Sequence, residues 1–498
     1  MALDPAVRLP PFVIADDERG RVTVLTEQNT RHGRAATGDT VAQRLTADTV
    51  AQRLTADTIA QRHPRIITAQ QLIGGTGMEQ RAAGGTHRAG TGARHRARVY
   101  SLDGLRGVAA VVVFVHHAFL TQPALAEAYR AHPGHLGTVS WLFTHTPLHL
   151  LWAGTEAVFV FFVLSGLVLA LPASDGGRID LAAYYPRRLL RLYLPVWAAV
   201  VLALGWAAAF PRLWHRGDSW WLKDYAAEPT AAGARGDLLM LHGPGTTNHV
   251  LWSLQWEVVY CLALPLVVVL LKIGRRLWWL KASAVMGAMA AGAGLNNSAL
   301  WYLSIFATGT LMALERPRLG RWAAWLDDRE KADRWWAATL TASLGLLLTY
   351  WFVPVAGMQA TGLGAVRGLQ ALGACGLVFV AWFAPAARGA LNSEIAQWLG
   401  DRSFSLYLVH LPVIVAVSTW LGGQPHLGGV LIASAVIAFP LAAVFHRFVE
   451  QPAHRLARTV GRRISNARSP EPKPRPIMAD LIPAQRTPIG AWPATRAS

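Results

Sequence analysis

Charged residues are scarce in this chain, and cysteine is almost absent. Only 15% of the 498 residues are charged, against roughly 25% in soluble domains, whereas 53% are hydrophobic. This balance excludes an ordinary soluble fold, because several apolar runs reach the roughly 20 residues needed to cross a bilayer. The two cysteines, Cys261 and Cys375, fall inside apolar segments, so the sequence predicts neither a disulfide framework nor a thiolate metal site.

The sequence also lacks the motifs of common soluble enzymes. It contains no Gly-x-Ser-x-Gly element, no Walker loop, no cluster of metal ligands and no paired thiols. Classical serine-hydrolase, nucleotide-hydrolase and metalloenzyme mechanisms are therefore unsupported, and we expect no metal cofactor.

Ten apolar runs predict an all-α fold, a polytopic membrane bundle of about ten transmembrane helices. Basic residues concentrate in alternate connections, which by the positive-inside rule predicts a multi-pass plasma-membrane protein with both termini in the cytoplasm. The formal net charge of +18 is therefore interpreted as a topology signal, and we expect the lipid bilayer, and no nucleic acid, as a partner. The ten runs are 105–122, 156–172, 194–210, 250–271, 277–294, 298–314, 336–354, 364–385, 403–421 and 427–447.

Two polar segments flank the predicted membrane domain, which spans residues 98–456. The leader, residues 1–97, contains a tandem nonapeptide (DTVAQRLTA) and few aromatic residues, and we expect it to be disordered. Met78 is an alternative start. The tail, residues 457–498, is basic and rich in proline, and disorder is the simplest expectation there too.

The first predicted helix carries ionisable residues at both of its ends. In LDGLRGVAAVVVFVHH, Arg106 lies at the cytoplasmic mouth, and a rise of 1.5 Å per residue places His117 about 16 Å deeper. Ionisable groups within the membrane are costly and mark functional sites, and an imidazole can take a proton or accept an acyl group. The alternative is that His116 and His117 simply reach the far interface.

Two further segments carry candidate site residues. Arg188 and Arg191 in RRLLRLYLP share one helical face, so their guanidinium groups could converge on a phosphate. The alternative is ordinary positive-inside anchoring with snorkelling side chains. Glu257 in LWSLQWEVVY enters from the opposite side and could meet His117, where a carboxylate can orient an imidazole. The alternative for Glu257 is a structural hydrogen bond to a neighbouring helix.

Taken together, these segments resemble the acyltransferase-3 family of multispanning membrane acyltransferases, which includes O-antigen and peptidoglycan O-acetylases. The resemblance covers residues 98–456 and depends on the order of several elements. Arg106 and His117 match the opening Arg-x10-His motif, FFVLSG matches the second signature, and Arg188 and Arg191 match the Arg-x-x-Arg pair. The later elements match at Trp252, Ser253, Leu254, Glu257, Tyr407, His410, Pro412, Glu450 and Pro452.

The resemblance implies a membrane O-acyltransferase that takes its acyl group, expected to be acetyl, from acyl-CoA at the cytoplasmic side. Arg188 and Arg191 would bind the cofactor, and Arg106 would help to place it. His117 would act as general base or transient acyl carrier, with Glu257 orienting the imidazole or the acceptor. The acceptor would be an extracytoplasmic hydroxyl on a glycan, glycolipid or glycosylated metabolite.

Two departures from the family pattern qualify these expectations. Phe159 replaces the aspartate that often precedes FFVLSG, and Glu156 lies one turn earlier. The tail is too short for the extracytoplasmic hydrolase-like domain of some relatives, so we expect either that this core acts alone or that a separate partner completes the transfer. A transporter or flippase and a catalytically inactive scaffold are the competing classes, although no internal duplication of the transporter kind is evident.

Overall fold

A computed structural model describes residues 12–16, 22–26 and 99–468, apart from 130–135, 175–178, 212–214, 216, 226–228, 242–244, 246, 275, 354, 356–357 and 423–425. The chain divides into two compact units, Met1–His95 and Arg96–Ser498.

The described part of the first unit is a two-stranded hairpin. Strands β1 (Phe12–Asp16) and β2 (Val22–Thr26) pair antiparallel, with Phe12 opposite Thr26. This hairpin was not predicted from the sequence, because disorder was expected for the whole leader. The nonapeptide repeat and Met78 lie outside the described residues.

The described part of the second unit contains helices and no strand. In chain order the helices are α1 (Tyr100–Leu120), α2 (Pro123–Glu127), α3 (Thr138–His145), α4 (Gly154–Ser174), α5 (Leu181–Ala209), α6 (Trp220–Tyr225), α7 (Ala231–Leu239), α8 (Leu251–Lys272), α9 (Trp278–Gly294), α10 (Ser298–Leu314), α11 (Arg316–Asp327), α12 (Ala332–Leu347), α13 (Thr349–Phe352), α14 (Ala360–Phe383), α15 (Pro385–Leu391), α16 (Glu394–Leu421), α17 (Leu427–Phe445) and α18 (Gln451–Arg468). A 3₁₀ turn (Pro147–Leu151) precedes α4, and a π-helical turn (His446–Glu450) joins α17 to α18.

Each of the ten predicted spans coincides with a helix, but only seven of the described helices are long and apolar enough to cross a membrane. These are α1, α4, α5, α8, α14, α16 and the continuous helix from α17 to α18. Helices α9 and α10 have 17 residues each and α12 has 16, which at 1.5 Å per residue is about 25 Å, short of the roughly 30 Å hydrocarbon core. The membrane bundle is confirmed, whereas the count of ten crossings remains a prediction.

Small residues allow the central helices to approach each other closely. A methyl group added at Gly166 on α4 would overlap the Phe306 carbonyl of α10, and one at Gly309 would overlap the Val163 carbonyl of α4. The Thr310 hydroxyl also donates to the Gly166 carbonyl at 3.1 Å. Such contacts let backbones pack at short range within a membrane bundle. Helix α1 is held against the start of α16 in the same way, at Gly107.

The C-terminal helix α18 begins before residue 457 and continues past it, so the predicted boundary of the disordered tail is placed too early. Ala453, Ala457 and Gly461 recur every four residues and are buried against α5. This stripe of small residues explains the helix, since it provides a packing face inside an otherwise charged sequence. Residues 469–498 of the predicted tail lie outside the described residues.

Candidate functional site

Four of the five predicted site residues line one cavity. The cavity has a volume of about 880 Å³ and is lined by Arg106 of α1, Arg188 and Arg191 of α5, and Glu257 of α8. These side chains come from three helices. In all, seven arginines and four carboxylates line the large cavity. Its excess of positive charge suits an anionic ligand.

The second wall of the large cavity is formed by the π-helical turn and α18. Glu450 is buried and accepts hydrogen bonds from Ser405 at 2.6 Å and from His446 at 3.0 Å. Arg191 donates through Nε to His454 Nε2 at 3.1 Å, and the same imidazole nitrogen lies 3.8 Å from Glu450. No role was predicted for His446, Glu450 or His454, although their spacing of four residues places them on one helical face.

His117 lies at the other end of α1 and does not line the large cavity. Its Nδ1 is 3.0 Å from the Val113 carbonyl oxygen and 3.0 Å from Nε2 of His410 on α16. The Trp221 ring lies nearby, with its centroid 5.7 Å from that of His117. His410 is itself almost fully buried, and its Nδ1 is 2.9 Å from the Leu406 carbonyl oxygen.

The two carbonyl contacts fix the tautomers of this histidine pair. Because a carbonyl oxygen only accepts, His410 carries its proton on Nδ1 and donates it to Leu406, so its Nε2 is an acceptor. His117 then donates its own Nδ1 proton, shared between His410 Nε2 and the Val113 carbonyl. The remaining nitrogen, His117 Nε2, has no hydrogen-bond partner among the described residues and carries a lone pair. Such a nitrogen can accept a proton or attack a carbonyl carbon.

The neighbouring His116 has a different environment. It is buried, its Nδ1 lies 2.9 Å from the Trp152 carbonyl oxygen, and its ring stacks on that of Trp152. The Tyr129 hydroxyl oxygen is 3.3 Å from the same nitrogen. Burial raises the pKa of Tyr129 well above its usual value, so the phenol remains an uncharged hydroxyl. His116 is thus built into the packing around Trp152, whereas His117 faces the histidine of another helix.

Among the described residues, no hydrogen bond joins Glu257 to His117. The nitrogen that Glu257 would orient is occupied by His410 and the Val113 carbonyl, and His117 lines neither cavity that contains Glu257. Glu257 instead lines both cavities together with Arg106. The alternative role for Glu257, orienting the acceptor, remains a prediction.

A smaller cavity adjoins the large one on the side of His117. Its volume is about 40 Å³, and Arg106 and Glu257 line both cavities. The smaller cavity is also lined by Ser253 and Tyr407, whose hydroxyl oxygens are 2.6 Å apart. Tyr407 lies one turn before His410 on α16, with ring centroids 6.0 Å apart. Polar side chains therefore continue from the arginine wall to the histidine pair.

The family model described as "Acyltransferase domain" matches residues 99–446, which is more than half of the chain. The chain belongs to the acyltransferase-3 family. It is similar to the acyltransferase MdmB of Streptomyces mycarofaciens, with 28% identity over 412 residues, 75% of this chain and 96% of that protein. It is also similar to the O-acetyltransferase PaAT-1 of Phomopsis amygdali, with 26% identity over 401 residues, 69% of this chain and 78% of that protein.

A third relative of this acyltransferase is nodulation protein 10 of Rhizobium leguminosarum bv. viciae, with 24% identity over 363 residues, 66% of this chain and 91% of that protein. No solved structure matches. The family membership confirms the sequence-based resemblance, and the protein is an enzyme of the acyltransferase class.

The departure of this acyltransferase from the family pattern at Phe159 is accompanied by a second buried polar cluster. Glu156 is fully buried and accepts hydrogen bonds from Trp351 Nε1 at 2.8 Å and from Gln370 Nε2 at 3.0 Å. His149 lies 3.8 Å from its other oxygen. Trp351 is buried as well. The Glu156 carboxylate thus joins α4, α13 and α14.

In the part of the chain that the structure describes, no three His, Cys, Asp or Glu side chains converge as ligands for a metal ion.

Proposed function

We propose that this acyltransferase moves an acyl group, expected to be acetyl, from acyl-CoA to a hydroxyl of an extracytoplasmic glycan, glycolipid or glycosylated metabolite. The observation that carries the proposal is the arrangement along α1, with the arginine-lined cavity at one end and the His117 lone pair at the other. The eleven residues from Arg106 to His117 separate these two ends by about 16 Å.

The large cavity suits the donor. Its volume lies within the roughly 300–1,000 Å³ typical of small-molecule sites. Arginine presents a planar fork that binds phosphate through two parallel hydrogen bonds, so Arg188 and Arg191 are well suited to the CoA phosphates. Arg106 lines both cavities and is placed to hold the donor where the pantetheine arm turns toward His117.

The lone pair on His117 Nε2 suits the chemistry. As a general base, it takes the acceptor hydroxyl proton while the acceptor oxygen bonds to the thioester carbonyl carbon and the C–S bond breaks, releasing the CoA thiolate. As an acyl carrier, the same nitrogen attacks the carbonyl carbon first, and the C–S bond breaks to release the CoA thiolate. The acceptor oxygen then takes the acyl group from the nitrogen and loses its proton to solvent. Both routes need an unprotonated Nε2. The contacts of Nδ1 with His410 and with the Val113 carbonyl favour this state, because they keep the proton on Nδ1.

The orientation proposed for the chain follows from its charge. Basic residues lie at the Arg188 end of the bundle, so this end faces the cytoplasm under the positive-inside rule, and the His117 end faces outward. Cytoplasmic acyl-CoA and an extracytoplasmic hydroxyl then approach from opposite sides. The name of one relative, the O-acetyltransferase PaAT-1 of Phomopsis amygdali, agrees with transfer to oxygen.

The test is acyl transfer by the purified protein in nanodiscs with [¹⁴C]acetyl-CoA and a panel of glycan and glycoside acceptors. We expect label to be released or transferred by the wild type, lost in His117→Ala and strongly reduced in Arg188→Ala. Arg321→Ala is the matched control, because Arg321 is exposed on α11 and lines neither cavity. Equal label from wild type and His117→Ala would refute the catalytic role proposed for His117.

A further inference from the structure

The C-terminal helix α18 carries a second pair of arginines, Arg455 and Arg458, to which the proposed function gives no role. They are three residues apart, as Arg188 and Arg191 are, and both pairs line the same large cavity. The match to the family model ends at residue 446, so this pair lies beyond the matched region.

Helix geometry explains why this second pair faces the cavity. Gln451, His454, Arg455 and Arg458 form a stripe with the spacing i, i+3, i+4, i+7, and all four line the cavity. The small residues of α18 pack on α5. All four of the arginines 455, 458, 462 and 463 are exposed, but only the first two line the cavity, because the other two lie about one turn farther along the helix.

Arg458 of the second pair lies farther from the His117 end of the bundle than Arg191 does. Arg191 contacts His454, whereas a methyl group at Gly461 would meet Arg187 and the Ala183 carbonyl, so α18 runs antiparallel to α5. Moving along α18 from His454 to Arg458 therefore leads away from the membrane interior. Arg458 lies one turn, about 6 Å, closer to the open end of the cavity than His454 does.

Coenzyme A has two separate anionic groups in a fixed order. The diphosphate follows the pantetheine arm, and the 3′-phosphate on the ribose lies farther from the thioester. We propose that Arg455 and Arg458 bind the 3′-phosphate of the acyl donor, while Arg188 and Arg191 bind its diphosphate. This assignment rests on the proposed function, since it takes acyl-CoA as the donor.

The test compares the binding of CoA and 3′-dephospho-CoA by isothermal titration calorimetry on the full chain in nanodiscs of zwitterionic lipid. The wild type is expected to prefer CoA by about tenfold, the low end of the value of one charge-assisted hydrogen bond. The double variant Arg455→Ala/Arg458→Ala is expected to bind CoA about tenfold more weakly and 3′-dephospho-CoA unchanged, so that its preference disappears. Arg188→Ala/Arg191→Ala should weaken both ligands and keep the preference.

Two controls separate phosphate recognition from general charge and from folding. Arg462→Ala/Arg463→Ala removes the same charge from the same helix and should keep the full preference for CoA. Arg455→Lys/Arg458→Lys keeps the charge but loses the planar fork, and it should retain an intermediate preference even if the alanine variant folds poorly.

Three results would overturn the assignment: an intact preference for CoA in the Arg455/Arg458 alanine variant, an equal loss for both ligands, or an effect of that variant seen only when anionic lipid is added. The last result would assign the pair to lipid phosphates. If the wild type transfers acetyl groups and any of these three results is found, only the assignment of Arg455 and Arg458 is refuted. If the wild type binds neither form of CoA, the proposed donor itself is refuted.

Discussion

Replacing His410 tests whether its contact with His117 prepares the lone pair on His117 Nε2. His410→Phe keeps a ring of similar size in a buried position but removes the nitrogen that lies 3.0 Å from His117 Nδ1. The bond from His117 to the Val113 carbonyl remains, so the imidazole loses one of its two acceptors. A single hydrogen bond contributes about 0.5–1.5 kcal/mol, which corresponds to a fall in kcat of roughly 2- to 13-fold.

The magnitudes distinguish positioning from catalysis. Loss of a general base lowers the rate by about 10²–10⁴-fold, so His117→Ala should be far more damaging than His410→Phe. His410→Gln places an amide oxygen near the former Nε2 and is expected to restore much of the rate. The assay is steady-state [¹⁴C]acetyl transfer, with kcat and the KM for acetyl-CoA determined separately. Only kcat should change, because His410 does not line the large cavity.

The reasoning on His410 is refuted if the glutamine variant is as slow as the phenylalanine variant, or if the phenylalanine variant keeps the wild-type kcat. In the first case His410 supports packing alone, and in the second the tautomer of His117 is fixed without it.

Three further predictions follow from the other contacts. Glu257→Gln should lower kcat about tenfold, because it removes the charged group that would orient the acceptor. It should not raise the KM for acetyl-CoA, because it also removes a negative charge beside the donor phosphates. Steady-state kinetics test this, and a KM increase larger than the kcat loss would contradict it. Gly166→Ala should destabilise the protein by about 1–3 kcal/mol, because its methyl group overlaps the Phe306 carbonyl, and a lower thermal midpoint in detergent would confirm it. Glu156→Leu should lower the free energy of unfolding by about 1–3 kcal/mol, because it leaves the Trp351 and Gln370 donors buried without the Glu156 acceptor. Glu156→Gln should lower it less, and equal thermal midpoints for the two variants in detergent would count against this account.

The arginine cavity follows from sequence because it depends on helix direction alone. Arg106, Arg188 and Arg191 all lie near the N-terminal ends of apolar runs, so an alternating topology brings them to one side of the membrane. The position of Glu257 depends on its depth as well as on the direction of its helix, and the sequence did not predict that it lines the same cavities as Arg106. The distribution of basic residues predicts the direction of a helix but not its vertical offset from a neighbour.

The histidine pair was inaccessible to the same reasoning. His117 and His410 are 293 residues apart, and nothing in the local pattern of either helix indicates that α1 and α16 are in contact. Their contact depends on close packing at glycines such as Gly107, which a single sequence does not relate to a partner. Trp351 shows the same limit, since a tryptophan near a helix end is equally compatible with an interfacial anchor and a buried hydrogen-bond donor.

The π-helical turn at His446–Glu450 sets the angular register of α18. Successive residues of an α-helix are rotated by about 100°, and a π-helical turn accommodates one more residue per hydrogen-bonded ring than an α-helix does. If the same residues continued as a regular α-helix, the stripe that carries Arg455 and Arg458 would rotate by about a quarter of a turn, away from the cavity. The irregular turn thus acts as a rotational adjustment between the membrane helix and the helix that forms one wall of the cavity.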